Sequence, residues 1–137
     1  MLFRSRGEMT PQQAHRAASQ ADVYLCSANA VTEDGRIVNI DGTGNRLAAL
    51  CWGPGRVVLV VGKNKVTGSL EDALERIKTK ACPPNARRLG FQTPCAKLGY
   101  CTDCDSPQRI CSATLILDRA PYSHPVEVVL VNQELGY

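Results

Sequence analysis

Cys95, Cys101, Cys104 and Cys111 place four of the seven cysteines of this 137-residue chain in one short stretch, spaced C-x5-C-x2-C-x6-C. The thiolate is both a soft metal ligand and a nucleophile, so the chemistry available to the chain starts there. From Pro94 to Cys111 the residues are turn formers (Pro94, Gly99, Asp105-Ser106-Pro107) with almost no apolar periodicity. A hydrophobic core does not hold such a loop; a metal or disulfides must. Cys101 and Cys104 can grip one ion through a tight turn, with Cys95 and Cys111 completing four ligands, a donor set used by both zinc and iron–sulfur sites. A zinc ribbon carries two C-x2-C pairs and this chain has one, and the spacing also departs from the common ferredoxin run. Read as a redox pair, Cys101-Thr102-Asp103-Cys104 lacks the strand–motif–helix setting of a thioredoxin-like site. Cys82, ahead of two prolines, is a spare ligand. Cys26 and Cys51 lie in apolar elements and read as buried packing residues.

Composition limits the partners. The net charge of +3 and an aromatic content of 5% give neither the basic surface nor the stacking platforms of a nucleic-acid binder. No apolar run is long enough to span a bilayer, and Met1 to Arg6 is too short to supply the apolar middle of a signal peptide. The chain therefore reads as cytoplasmic, without membrane or nucleic-acid partners. In that reducing compartment, clustered cysteines favour metal over disulfides. The apolar content of 44% and charged content of 21% suit a single soluble domain.

The elements that must position the cysteines follow in order. Thr10, Pro11 and Gln13 form a capping signature for a helix reaching about Gln20. Asp22–Ser27 reads as a strand. Asn29–Thr32, the turn Glu33-Asp34-Gly35 and Arg36–Ile40 read as a hairpin. The glycine-rich turn Asp41-Gly42-Thr43-Gly44-Asn45-Arg46 leads into a helix, Leu47–Trp52. It serves either as a tight turn or as a close approach for an anion. Arg56–Val61 is a continuous β-branched run, as expected of a central strand covered on both faces. The loop that leaves it carries Lys63, read as solvated, and Lys65, which can meet an anion. Ser69 caps a helix over Leu70–Lys80, with Leu70, Ala73, Leu74 and Ile77 inward and Glu71, Glu75, Arg76 and Lys78 on the solvated side. Cys82-Pro83-Pro84 is expected to break it, with one more helical turn following. Two strands, 113–118 and 126–131, close the chain. His15 and His124 read as surface residues. The alternation predicts an α/β fold with a mainly parallel sheet, flanking helices, an added β-hairpin and a cysteine-rich loop.

Several separated blocks together resemble a known family. They are Ser27-Ala28-Asn29-Ala30-Val31-Thr32-Glu33-Asp34-Gly35, Asn39–Arg46, Val61-Gly62-Lys63-Asn64-Lys65, Pro84-Asn85-Ala86-Arg87-Arg88-Leu89 and the cysteine loop. In order and over nearly all of residues 10–137, they are similar to the lactate-utilisation (LUD) domain proteins, in particular the short stand-alone branch with C-terminal cysteines. The resemblance implies a fold like the sugar-isomerase and CoA-transferase superfamily. It also implies a link to oxidation of L-lactate or a similar hydroxy acid, with iron–sulfur oxidoreductase partner proteins and a small anionic metabolite as ligand. It implies Asn29, Asp41, Gly42, Gly44, Asn45, Arg46, Lys65, Asn85 and Arg88 around a shared cleft, while the metal at Cys95, Cys101, Cys104 and Cys111 is expected from the cysteine spacing. No catalytic residue carries over. Iron–sulfur suits the implied redox role, with zinc as the alternative: a zinc that only staples the loop would make the chain a ligand-binding or regulatory module. An acyl- or CoA-handling enzyme would need a nucleophilic carboxylate, for which Glu33 and Asp41 are the placed acids. Relatives carry a longer helical part before Thr10, so the chain reads as N-terminally truncated, with residues 1–9 unstructured or non-native.

Overall fold

The β-branched run Arg56–Gly62 forms β4, the middle strand of a three-stranded, fully parallel sheet. This computed structural model describes residues 9–137, and the expectation for the residues before Met9 falls outside the described part. β4 is flanked by β1 (Val23–Cys26) and β7 (Val126–Val131). Val57, Leu59 and Val61 are fully buried, as expected for a central strand. A second, mixed sheet has the strand order β5-β2-β3-β6, formed by β2 (Ala30–Thr32), β3 (Ile37–Asp41), β5 (Val66–Thr67) and β6 (Ala113–Leu117). β2 and β3 make the antiparallel hairpin that Asp34-Gly35 signals, with Gly35 at φ 94°. The predicted α/β class with a mainly parallel sheet and flanking helices is what the chain adopts.

β3 is buried on both faces because it serves two cores. Ile37 joins Val57, Leu59, Val61, Leu50 and Leu117 in the first. Val38 and Ile40 point the other way and meet Ala73, Ile77 and Ala81 in the second. Cys26 and Cys51 are half-buried and pack against the first core. Burial pushes the Cys26 thiol up to about 11. Helix α1 (Pro11–Ala18) has the full capping box: Gln13 N–H donates to Thr10 Oγ1 at 3.3 Å, and Thr10 N–H to Gln13 Oε1 at 2.8 Å. Helix α2 (Asn45–Cys51) follows the glycine turn.

Two of the expectations about these elements fail, each for a physical reason. The prolines do not break the second long helix. Helix α3 (Leu70–Arg76) widens into a π-helical turn, Ile77–Ala81, and runs directly into α4 (Cys82–Arg88). Pro83 and Pro84 fall in the first turn of α4, where a missing N–H is no loss, and the wider turn absorbs the change in bonding. His124 is 6% exposed rather than on the surface. Its Nε2 lies 3.2 Å from the carbonyl oxygen of Leu50, a last-turn carbonyl of α2 that has no helical donor.

Leu59 has no exposed surface and sits at the centre of the parallel sheet. Leu59→Ala is expected to destabilise the fold by about 2–5 kcal/mol. The measurement is a lowered urea midpoint at unchanged m-value.

Candidate functional site

At the end of β4 the chain cannot continue straight. A Cβ on Gly62 would lie 2.5 Å from Leu135 N and 2.7 Å from Gln133 O, so glycine is required where the C-terminal segment crosses. The following 3-10 turn, Lys63–Lys65, leaves Lys63 exposed and turns Lys65 inward to 7% exposure. Lys65 Nζ donates to Ser27 Oγ at 3.2 Å, and a Cβ on Gly136 would sit 3.6 Å from that nitrogen. Among the described residues Lys65 has no carboxylate partner. Burial holds its ammonium below its usual range, and the nearby Arg76 and Arg46 guanidiniums push the same way. Arg76 is not on the solvated side. Its Nε donates to Asn64 O and its Nη1 to Asn29 O, each at 2.7 Å, and burial lowers its pKa. Helical spacing marks Arg76 as outward because it does not register the strand-end carbonyls folded over that face.

Asn29 cross-ties the hairpin. Its side-chain oxygen accepts from Ile40 N–H at 2.9 Å, and its own N–H donates to Asn39 Oδ1 at 3.0 Å. Asn39 Nδ2 is then a buried donor with no partner among the described residues. Asp41 gathers the next turn. Its carboxylate accepts from Thr43 N–H at 3.2 Å, Arg46 N–H at 3.3 Å and Arg46 Nε at 3.1 Å, while Arg46 Nη2 donates to Ile40 O at 2.8 Å. Gly44, at φ 83°, precedes Asn45, the first residue of α2. Gly42 has a different reason to be glycine: a Cβ there would lie 3.1 Å from Ile110 Cα. The backbone of the cysteine loop packs against the glycine turn. Asn85 and Arg88 stand apart on α4 and bond each other, with Arg88 Nη2 donating to Asn85 Oδ1 at 2.6 Å. The structure therefore brings Asn29, Lys65 and the Asp41–Arg46 turn together around the strand ends, whereas Asn85 and Arg88 form their own exposed pair. Glu33 is exposed in the hairpin turn, and Asp41 is paired with Arg46.

The loop cysteines divide between two settings. Cys95 lies in α5 (Pro94–Leu98), 9% exposed, packed with Ala86 and Ala96. Its sulfur is 3.3 Å from the buried Thr93 hydroxyl. Cys101 and Cys111 instead line a cavity of about 120 Å³ together with Cys82. Burial pushes the Cys82 thiol up to about 12, and negative charge on Cys111, Cys95 and Cys101 adds to the shift. Cys111 is raised mainly by burial, opposed by Arg109. Arg109, which sequence reasoning passes over, organises the loop: it donates to Cys104 O at 2.7 Å, to Cys111 O at 3.0 Å and to Asp103 Oδ1 at 3.0 Å. The available signal was a five-donor guanidinium inside a segment without a core. Among the described residues no three His, Cys, Asp or Glu side chains converge closely enough to hold an ion as they stand. The donor chemistry is soft and thiol-rich, as zinc or an iron–sulfur cluster requires, but the four motif sulfurs are not gathered at one point.

The fold is α/β, with polar strand ends and the backbone of the cysteine loop packed on the glycine turn. A family model described as the LUD domain matches residues 4–131. The chain belongs to the LUD-domain family, which connects it with lactate utilisation. Neither a curated protein nor a solved structure gives a match. Among the described residues no helix is long and apolar enough to cross a membrane.

Two outcomes follow from this geometry. Gly42→Ala forces a Cβ against the Ile110 backbone and is expected to cost about 1–3 kcal/mol. Faster thiol labelling of Cys101 and Cys104, with a lowered unfolding midpoint, checks it. Lys65 binds its proton less tightly when folded than when unfolded, so stability should rise with pH between its lowered pKa and the ordinary 10.5. Lys65→Met is expected to remove that rise and to leave the protein no less stable at neutral pH, read by thermal unfolding across the pH range.

Proposed function

We propose that this protein binds a small anionic metabolite, a 2-hydroxy acid of the lactate type, at the Lys65 and Arg76 cations, and that it serves oxidation of that acid with a cysteine-ligated metal centre. One observation carries the reading: a buried ammonium whose only polar partner among the described residues is the Ser27 hydroxyl. Isolated buried charge is costly, and a ligand carboxylate would offset the cost. Lys65 has two further N–H donors to offer it, and Arg76 is held beside it by carbonyls rather than by an acid. Membership of the LUD family supports the choice of acid. Conversion of a 2-hydroxy to a 2-oxo acid releases two electrons and two protons. Iron–sulfur oxidoreductase partners are the proposed electron acceptors. An iron–sulfur cluster in this chain would supply one-electron transfer, and the loop thiols would hold it.

Calorimetric titration with L-lactate and with pyruvate tests the binding. Wild type is expected to bind more weakly as pH rises through the Lys65 titration, and Lys65→Met at least about tenfold more weakly, equivalent to about 1.4 kcal/mol. Full affinity in Lys65→Met removes the site. Anaerobic purification followed by visible spectroscopy and metal analysis tests the centre; a colourless protein with one zinc per chain rejects the redox role.

The backbone of the cysteine loop packs on the glycine turn at Gly42 and Ile110, and in a second reading zinc only staples that loop and the chain is a ligand-binding module. Cys101→Ser with Cys104→Ser would then abolish folding with no redox signal at any stage.

A further inference from the structure

We infer that the outer face of the parallel sheet binds a second copy of this chain, packed face to face about a two-fold axis. The inference is independent of the anion and metal proposals.

Strand alternation defines the face. Tyr24 and Cys26 of β1, Leu59 of β4, and Val126 and Val128 of β7 pack into the first core. The residues between them point the other way. They include Val23 and Leu25 of β1, Val58 and Val60 of β4, and Val129 and Val131 of β7. The register sets them side by side, with Leu25 next to Val58 and Val60 next to Val129. None of them belongs to a core cluster. Leu25 is 56% exposed, Val23 43% and Val129 40%, and Val58, Val60 and Val131 are half-buried. The strands of an all-parallel sheet are apolar on both faces because both are normally covered. The described residues cover only one face of this sheet. A contiguous apolar patch left open in this way marks an interaction surface.

The charges on the face point to what covers it. Arg56 stands next to Val23, and Glu127 next to Val58. Both are exposed, and among the described residues neither has an ion-pair partner. A face built for an acidic or a basic partner would carry one sign. One cation and one acid on adjacent strands make this face complementary to itself. A two-fold axis sets Arg56 of each copy against Glu127 of the other, as an isologous contact requires. Two sheet faces pack about 10 Å apart with their side chains interdigitated. The apolar area open on this face is on the order of a few hundred Å², and a stable interface buries about 800 Å² per partner, so these side chains supply its apolar centre and the charged pairs part of its rim.

Sedimentation equilibrium of the full chain over a wide concentration range tests the inference, with folding checked by near-ultraviolet circular dichroism. Wild type is expected to form a dimer that dissociates on dilution. Leu25→Lys and Val129→Lys, both at exposed positions, are expected to fold and to remain monomeric. Arg56→Glu and Glu127→Arg each set like charges together and should weaken the dimer at least about tenfold, and the double variant should restore it. A wild type that stays monomeric overturns the inference and leaves the face to a different partner. A dimer that both lysine variants leave intact also overturns it, by placing the contact elsewhere. So does full affinity in the single charge reversals, or association that continues beyond the dimer. None of these results touches the Lys65 anion site, which the lactate titration tests separately.

Discussion

The Asp41 carboxylate is the tie on which the rest of this structure depends. It ends β3, closes the glycine turn through Thr43 and Arg46, and fixes the Arg46 guanidinium over the Ile40 carbonyl. Its own backbone carbonyl accepts Ser112 N–H at 3.1 Å, so the return of the cysteine loop into β6 is pinned to the same residue. Gly42, next in the chain, allows Ile110 to approach to a distance at which a Cβ would be tighter than most real contacts. Strand, turn, helix and loop meet at one corner because a single acid satisfies several donors there.

That corner also couples two electrostatic environments. Arg46 lies close enough to Lys65 to lower its proton affinity and close enough to Cys82 to oppose the rise in its pKa. On one side is a group of cations short of acids; on the other are thiols with Arg109 among them. The cations are stabilised by carbonyls and a hydroxyl, which satisfy hydrogen bonds without cancelling charge. Groups held in this way cost stability in the free protein, and such sites are where local rules of folding are broken for function.

Much of the architecture could be read locally. Thr10 and Gln13 marked a helix start, Asp34-Gly35 a hairpin, and the Arg56–Val61 run a covered strand, because capping, turn and burial preferences act over a few residues. Where a residue's partner comes from far along the chain, the reading failed. The carbonyls that hold Arg76 come from Asn29 and Asn64, and the carbonyl that meets the His124 ring is that of Leu50. The prolines after Cys82 were a local signal misread, since the same residues that stop one helix can begin the next.

The cysteine loop shows the division most clearly. Its composition by itself determined that thiol chemistry is available to it; the expectation that no apolar packing holds the segment fails at α5, where Cys95 and Ala96 are buried with Ala86 and Ile110 packs against them. Tertiary structure alone decided where each thiol faces: Cys95 into the packing of two short helices, and Cys101 and Cys111 toward a cavity that Cys82 also lines. Spacing records which sulfurs are close along the chain. Which are close in space depends on how α4 and the loop pack against the second core, and that packing is set by the whole sequence at once.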